Sequence, residues 1–148
     1  MNDPMSKRRL RLWLRLLSVT RITEAELREF LRVEHGSTLP RFDVMAALRR
    51  ANDELTMSEL SRRLLVSNGN TTTVVDRLEL DGLVTRTPST TDRRVTYVAL
   101  TDAGRCHFDE LAAEHEARLD SLFAGVSAAD VDALEELLRR LTPGKAAR

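Results

Sequence analysis

Cysteine is almost missing from this 148-residue chain. Cys106 stands alone, so no internal disulfide can form, and the usage fits a reducing compartment such as the cytoplasm. Aromatic residues make up 4%, too few to line a large aromatic catalytic pocket. No apolar run approaches the ~20 residues that a membrane span needs. The start from Met1 to Leu17 is basic and then apolar, but Arg11 and Arg15 interrupt it and no small-residue cleavage site follows. Neither a membrane segment nor a signal peptide is expected. Net charge is missing too, with 23 basic and 23 acidic residues. That balance argues against indiscriminate nucleic-acid binding but leaves room for a local basic face. There is no phosphate loop, nucleophile elbow or metal-protease motif. Cys106 and His107 are neighbours on a helix and point apart, so they make no dyad. Neither an enzyme nor a cofactor is expected.

What is present is ordinary for a helix-rich globular protein: 42% hydrophobic and 31% charged residues, in one domain spanning 1–148. Leu10, Trp13, Leu14 and Leu17, joined by Leu12, Leu16 and Val19, give a helix whose apolar arc is wider than one partner surface needs. It continues to about Val33 and ends at His35-Gly36-Ser37. A second helix runs from Pro40 to about Ala51, with Phe42, Val44, Met45 and Leu48 inward. Asn52-Asp53-Glu54 reads as a turn. Thr56 with Glu59 makes a capping box for a short helix that buries Leu60, Leu64 and Leu65. After the break at Val66–Gly69, with Ser67 or Asn68 as cap, a further helix spans about Asn70 to Asp81 and ends at Gly82.

The period then changes from helix to strand. Leu83–Arg86 and Val95–Leu100 read as a two-stranded hairpin around the polar tip Thr87–Arg94. Thr101 caps a helix to about Phe123, with a packing seam of Phe108, Leu111, His115, Leu119 and Leu122. Ser127 caps the last helix, where Val131, Leu134, Leu138 and Leu141 repeat that spacing. The fold class is therefore mainly α with a small two-stranded β-wing: a winged helix-turn-helix, flanked by one helix before and two after.

In a helix-turn-helix, a short helix braces a second one whose first residues reach base edges in the major groove. Here that helix opens Ser67-Asn68-Gly69-Asn70-Thr71-Thr72-Thr73, small hydrogen-bonding side chains suited to base edges, phosphates and thymine methyls. The same residues also mark a turn; the hairpin that follows favours a reading helix, with Val74, Val75 and Leu78 inward. Arg93 and Arg94 at the hairpin tip suit a narrow minor groove. Asp92 beside them is costly near phosphate unless paired, so it is expected to hold Arg86 or Arg94 in place.

The run Leu64–Thr72, then Val75-Asp76-Arg77-Leu78-Glu79 and Asp81–Arg86, resembles the reading helix and first strand of the MarR family of transcription regulators. Asp92-Arg93-Arg94 through Leu100-Thr101-Asp102-Ala103-Gly104 resembles that family's wing signature, Asp-x-Arg followed by Leu-Thr-x-x-Gly. The likeness covers nearly the whole chain, and its pieces are specific in combination. It implies a homodimeric repressor on a palindromic operator in double-stranded DNA. About residues 10–35 and 102–143 would dimerise and about 40–101 would form the DNA-binding lobe. It assigns Asn68, Asn70, Thr71 and Thr72 to the major groove, Arg77 to phosphate and Arg94 to the minor groove. Thr71-Thr72-Thr73 departs from the usual aliphatic residue before the family's Thr. The family also implies release by a small aromatic or phenolic ligand between dimer helices and lobe, a crevice to which Trp13, Arg15, Arg41 and His115 are assigned. Leu10–Leu17 with Leu39–Asp43 resembles members associated with aromatic-compound catabolism.

Three other readings compete. A helical interaction module that does not read DNA would share the fold. Cys106 at a helix start admits a thiol-based redox sensor, although a structural free cysteine explains it as well. His107 and His115 lie two helical turns apart, too far to share one ion unaided, so no metal site is expected. His115 falls on the apolar seam and reads as a hydrogen-bonded interface histidine; His35 reads as a helix-end neighbour.

Overall fold

Three-and-four spacing becomes helix throughout the residues described by the computed structural model, 3–64 and 68–141. In chain order the elements are α1 (Met5–His35), α2 (Leu39–Arg50), β1 (Glu54–Thr56), α3 (Met57–Leu64), α4 (Asn68–Leu80), β2 (Val84–Pro88), β3 (Thr96–Leu100), α5 (Asp102–Leu122) and α6 (Ala128–Leu141). Helix α1 begins five residues ahead of Leu10, because Pro4 stands just before its first turn and the Lys-Arg-Arg run is a good helix former.

Helix α2 is the centre of the core. Val44, Met45 and Leu48 are at most 1% exposed, and α3, α4, α5 and β3 close around them with Leu60, Val75, Leu78, Val98 and Leu111. Burial of each such side chain is worth about 1.5–3 kcal/mol, so this cluster dominates the lobe's stability. Thr38 caps α2, its Oγ1 accepting from Arg41 N at 3.3 Å.

The hairpin gains a third strand. The sheet order is β1-β3-β2, antiparallel, with Leu55 opposite Val98 and Val84 opposite Leu100. Glu54, read from sequence as turn, therefore starts a strand; the turn proper is Asn52 and Asp53, both left-handed (φ 56° and 75°). Asp53 is locked there by Arg105 Nε at 2.7 Å and Arg49 Nη1 at 3.3 Å.

Gly82 ends the loop after α4 at φ 72°, where any side chain would be strained. Gly104 is needed for a different reason. A Cβ there would meet the Leu83 carbonyl oxygen at 1.9 Å, so α5 seats directly on the start of the wing. Thr101 seals this junction: Oγ1 donates to Gly82 O at 2.7 Å and accepts from Gly104 N at 2.9 Å.

The outer helices behave differently. Helix α1 packs on α2 and α5 through Leu27 and Leu31 at its C-terminal end, while Leu10, Trp13 and Leu14 are each more than half exposed. Helix α6 buries no residue, although Val131, Leu134 and Leu141 line up along it. Among the described residues no helix is long and apolar enough to cross a membrane.

Candidate nucleic-acid interface

The brace and the reading helix are joined by a buried hydroxyl pair. The capping box forms as expected: Glu59 N donates to Thr56 Oγ1 at 3.1 Å, and Thr56 N to Glu59 Oε2 at 2.9 Å. The backbone and side-chain donors of Thr56 hold the Glu59 carboxyl below its ordinary range. This fixes α3 so that Ser61 Oγ meets Thr71 Oγ1 at 2.9 Å inside the lobe.

That contact corrects one sequence expectation. Thr71, assigned to the major groove, is 1% exposed and cannot reach a base edge. The reason lies in the helical period: Thr71, Val75 and Leu78 recur at i, i+4 and i+7 and form the inward face of α4. Asn70, Thr72, Thr73 and Arg77 face outward and are exposed, as a reading surface requires. Ser67 lies outside the described residues, as does the side chain of Asn68.

The wing is tied to the reading helix by charge. Arg86 is not the partner of Asp92; instead its backbone N donates to Glu79 Oε2 at 3.0 Å, and its guanidinium reaches Glu79 at 3.3 Å and Asp76 at 2.5 Å. The hydrogen bond to Glu79 and then that to Asp76 hold Arg86 more firmly protonated than usual. Both acids stand on α4 with the required reach, whereas Asp92 sits at the far tip of the hairpin.

Asp92 takes the other partner foreseen. Its Oδ1 accepts from Arg94 N at 3.0 Å and Arg94 Nε at 3.3 Å, and those donors, backbone first, hold its carboxyl low. Ser89 Oγ accepts from the backbone of Thr91 and Asp92, closing the tip. Arg93 and Arg94 project from it, exposed. Between the tip, the outward side of α4 and the first turn of α3 lies an open groove of about 550 Å³, lined by Ser58, Thr72, Arg86 and Arg94 among others. Ser58 carries no sequence signal beyond its place inside the capping box. Such a groove, with arginines on one wall and a helix start on the other, fits a phosphate backbone.

The residues assigned to a ligand crevice are not gathered within one chain. Trp13 and Arg15 stand on the outer half of α1, which does not pack on the lobe; Arg15 lines a shallow depression with Arg8, Arg11 and Leu12. Arg41 is ion-paired with Asp81. His115 is stacked on Phe42 with ring centroids 4.2 Å apart, a ring contact rather than a hydrogen bond, and burial lowers its pKa. His35 ends α1 with Nε2 at 3.1 Å from Glu114 and its ring edge-on to Phe30. Cys106 is exposed and free. Among the described residues no three His, Cys, Asp or Glu side chains could hold a metal ion.

This arrangement has relatives. Residues 35–95 match the sequence profile of the MarR family. The regulator MhqR of Bacillus subtilis is 28% identical over 137 residues, 93% of each chain. The uncharacterised regulator YkoM of the same organism is 33% identical over 107 residues, 72% of this chain and 69% of YkoM. The crystal structure of a mutant Escherichia coli MarR complexed with operator DNA superposes with a TM-score of 0.78 at 27% identity, covering 95% of this chain and all of that one.

Proposed function

We propose that this chain, which belongs to the MarR family of DNA-binding transcriptional regulators, works as a homodimeric repressor on a palindromic operator and is released from it by a small ligand. The observation that carries the reading is the groove shared by Thr72 on the reading helix and Arg94 on the wing. Phosphate contacts on both sides of one helix fix its depth in the major groove. Asn70 and Thr72 then read base edges, Arg77 and Arg93 meet phosphate, and Arg94 enters the minor groove, with Asp92 and Arg86 holding the wing.

The whole chain, 1–148, acts as one unit in this reading. Exposed apolar side chains on α1 and α6 support dimerisation through about residues 10–35 and 102–143, since a single chain leaves them in water. Two reading helices related by a two-fold axis must lie about one DNA turn, ~34 Å, apart to enter successive major grooves. A ligand bound in or beside the lobe would change that spacing or the reading helix itself, and so shift the population away from DNA. Such a protein works where the chromosome is, in the bacterial cytoplasm.

The test is fluorescence anisotropy on duplexes tiled across the DNA flanking its own gene. One duplex should bind much more tightly than the rest, with affinity falling steeply as salt rises. Equal weak binding to every duplex would leave the helical interaction module as the better reading.

A further inference from the structure

Helix α1 is longer than the surface its own chain offers it. It runs antiparallel to α5, with Arg118 donating to Glu26 at 3.0 Å and His35 Nε2 lying 3.1 Å from Glu114. At about 1.5 Å per residue, roughly 25 Å of α1 stands beyond the end of α5 at Leu122. Helix α6 buries no residue, and Leu10, Leu12 and Trp13 on this overhang are more than half exposed.

One face of the overhang is basic. Arg8, Arg11 and Arg15 line a shallow depression with Leu12, and all four are exposed. Among the described residues Arg8 and Arg15 make no ion pair, while Arg11 shares an exposed one with Asp3. A complementary face lies on α5. There an open groove of about 580 Å³ is lined by the apolar Ala113, Ala117, Leu119 and Phe123 and by Glu116 and Asp120. Neither carboxylate has an ion pair among the described residues. The two faces cannot meet within one chain. Measured from the Glu26–Arg118 pair, Arg15 stands roughly 13 Å farther along the common axis than Asp120, beyond the reach of an arginine.

We propose that the arginine stripe of α1 seats in the α5 groove of a second copy of this chain, and the second copy's stripe in the first. The inference rests on the homodimer reading and deepens it by naming the contact that selects the partner. Arg11 with Arg15, and Glu116 with Asp120, are both pairs four residues apart, so cations and carboxylates share a spacing of about 6 Å along their helices. Leu12 between the arginines meets the apolar floor at Ala117. A two-fold axis builds this crossing twice, which is how a chain of zero net charge can carry a basic start and an acidic α5. Such pairs give specificity more than strength, because a chain without the acid pair would set like or unpaired charges against the stripe.

The experiment is sedimentation analysis of the full-length chain over a dilution series. Arg11→Glu with Arg15→Glu, and separately Glu116→Lys with Asp120→Lys, should each raise the dimer dissociation constant at least tenfold in about 0.1 M NaCl, and less in about 1 M, where the charges are screened. Mixed in equal amounts, the two variants should recover near wild-type association, with the heterodimer dominant by native mass spectrometry. The wild-type dimer should itself weaken at least threefold over the same salt range, whereas a purely apolar contact would hold or tighten. This last measurement needs no variant, so it decides the matter even where a charge reversal unfolds the chain. Variants that dimerise like the wild type, a mixture without preference for the heterodimer, or a dimer that salt does not weaken would each overturn the inference and leave the homodimer standing. A monomeric wild type would instead count against the homodimer reading, and this contact would fall with it.

Discussion

Ser61 Oγ and Thr71 Oγ1 lie 2.9 Å apart in the interior of the lobe, a buried hydroxyl pair that locks the bracing helix to the reading helix. Thr71→Val keeps the shape but strands the Ser61 hydroxyl. The expected cost is about 1–3 kcal/mol, or roughly 2–4 °C of melting temperature per kcal/mol for a chain of this size. The variant's preference among duplexes should stay that of the wild type. A change of base preference without loss of stability would show that Thr71 reads DNA after all.

Gly104 and Gly125 make a matched pair. A methyl group at 104 would drive into the backbone carbonyl of Leu83, whereas one at 125 meets nothing within 4 Å. Gly104→Ala should cost at least ~2 kcal/mol, because backbone has to move. Gly125→Ala should be neutral or slightly stabilising. Thermal unfolding of both decides it, and equal melting temperatures would mean that α5 does not seat on the wing as described.

The proposed dimerisation draws on the bare apolar faces of α1 and α6. Leu14 is 52% and Leu134 48% exposed in the single chain. Light scattering should give a dimer at micromolar concentration. Leu14→Asp with Leu134→Asp should give a monomer that keeps its lobe folded, since neither residue belongs to the core around Met45. A wild-type monomer, or a double variant that stays dimeric, would refute this.

Protonation at His115 should be visible in stability. Burial against Phe42 holds its pKa below the ordinary value, so the unfolded chain binds this proton more readily than the folded one. Stability therefore rises with pH through the window just below ~6.5 and is lost as pH falls through it. Asp43, with its raised carboxyl, slopes the other way at lower pH, so the comparison must be made against a variant. His115→Phe keeps the stack and removes the charge. Its melting temperature should exceed the wild type's by more at pH 5.5 than at pH 7.5, and a constant difference would contradict the burial effect.

Much of this architecture was legible in the residues because it is locally encoded. Thr56 with Glu59, Gly82, and Thr101 with Gly104 each announce an element boundary within four residues, the two caps by the hydrogen bonds they form and Gly82 by its left-handed backbone. Strand β1 was not legible: it is three residues long, and its partner Val98 lies more than forty positions away. Of the two partners expected for Asp92 the fold takes Arg94, while Arg86 is drawn to Glu79 and Asp76 on α4. Thr71 was misread although the signal was present, since its spacing to Val75 and Leu78 marks it as inward; its polar side chain outweighed its position.

The central claim is a division of labour, in which α4 reads bases and the wing holds the backbone. It is tested most directly by measuring anisotropy-based affinities of wild type, Asn70→Ala and Arg94→Ala on the preferred duplex and a scrambled one, across a salt series. Arg94→Ala should weaken both duplexes alike and flatten the salt slope by about one unit. Asn70→Ala should lose about 1–3 kcal/mol on the preferred duplex alone, with the slope unchanged. Each variant must keep its dimer and its thermal transition for the comparison to count. Selective loss in Arg94→Ala together with indiscriminate loss in Asn70→Ala would reverse the two roles, and wild-type affinities in both would contradict the interface itself.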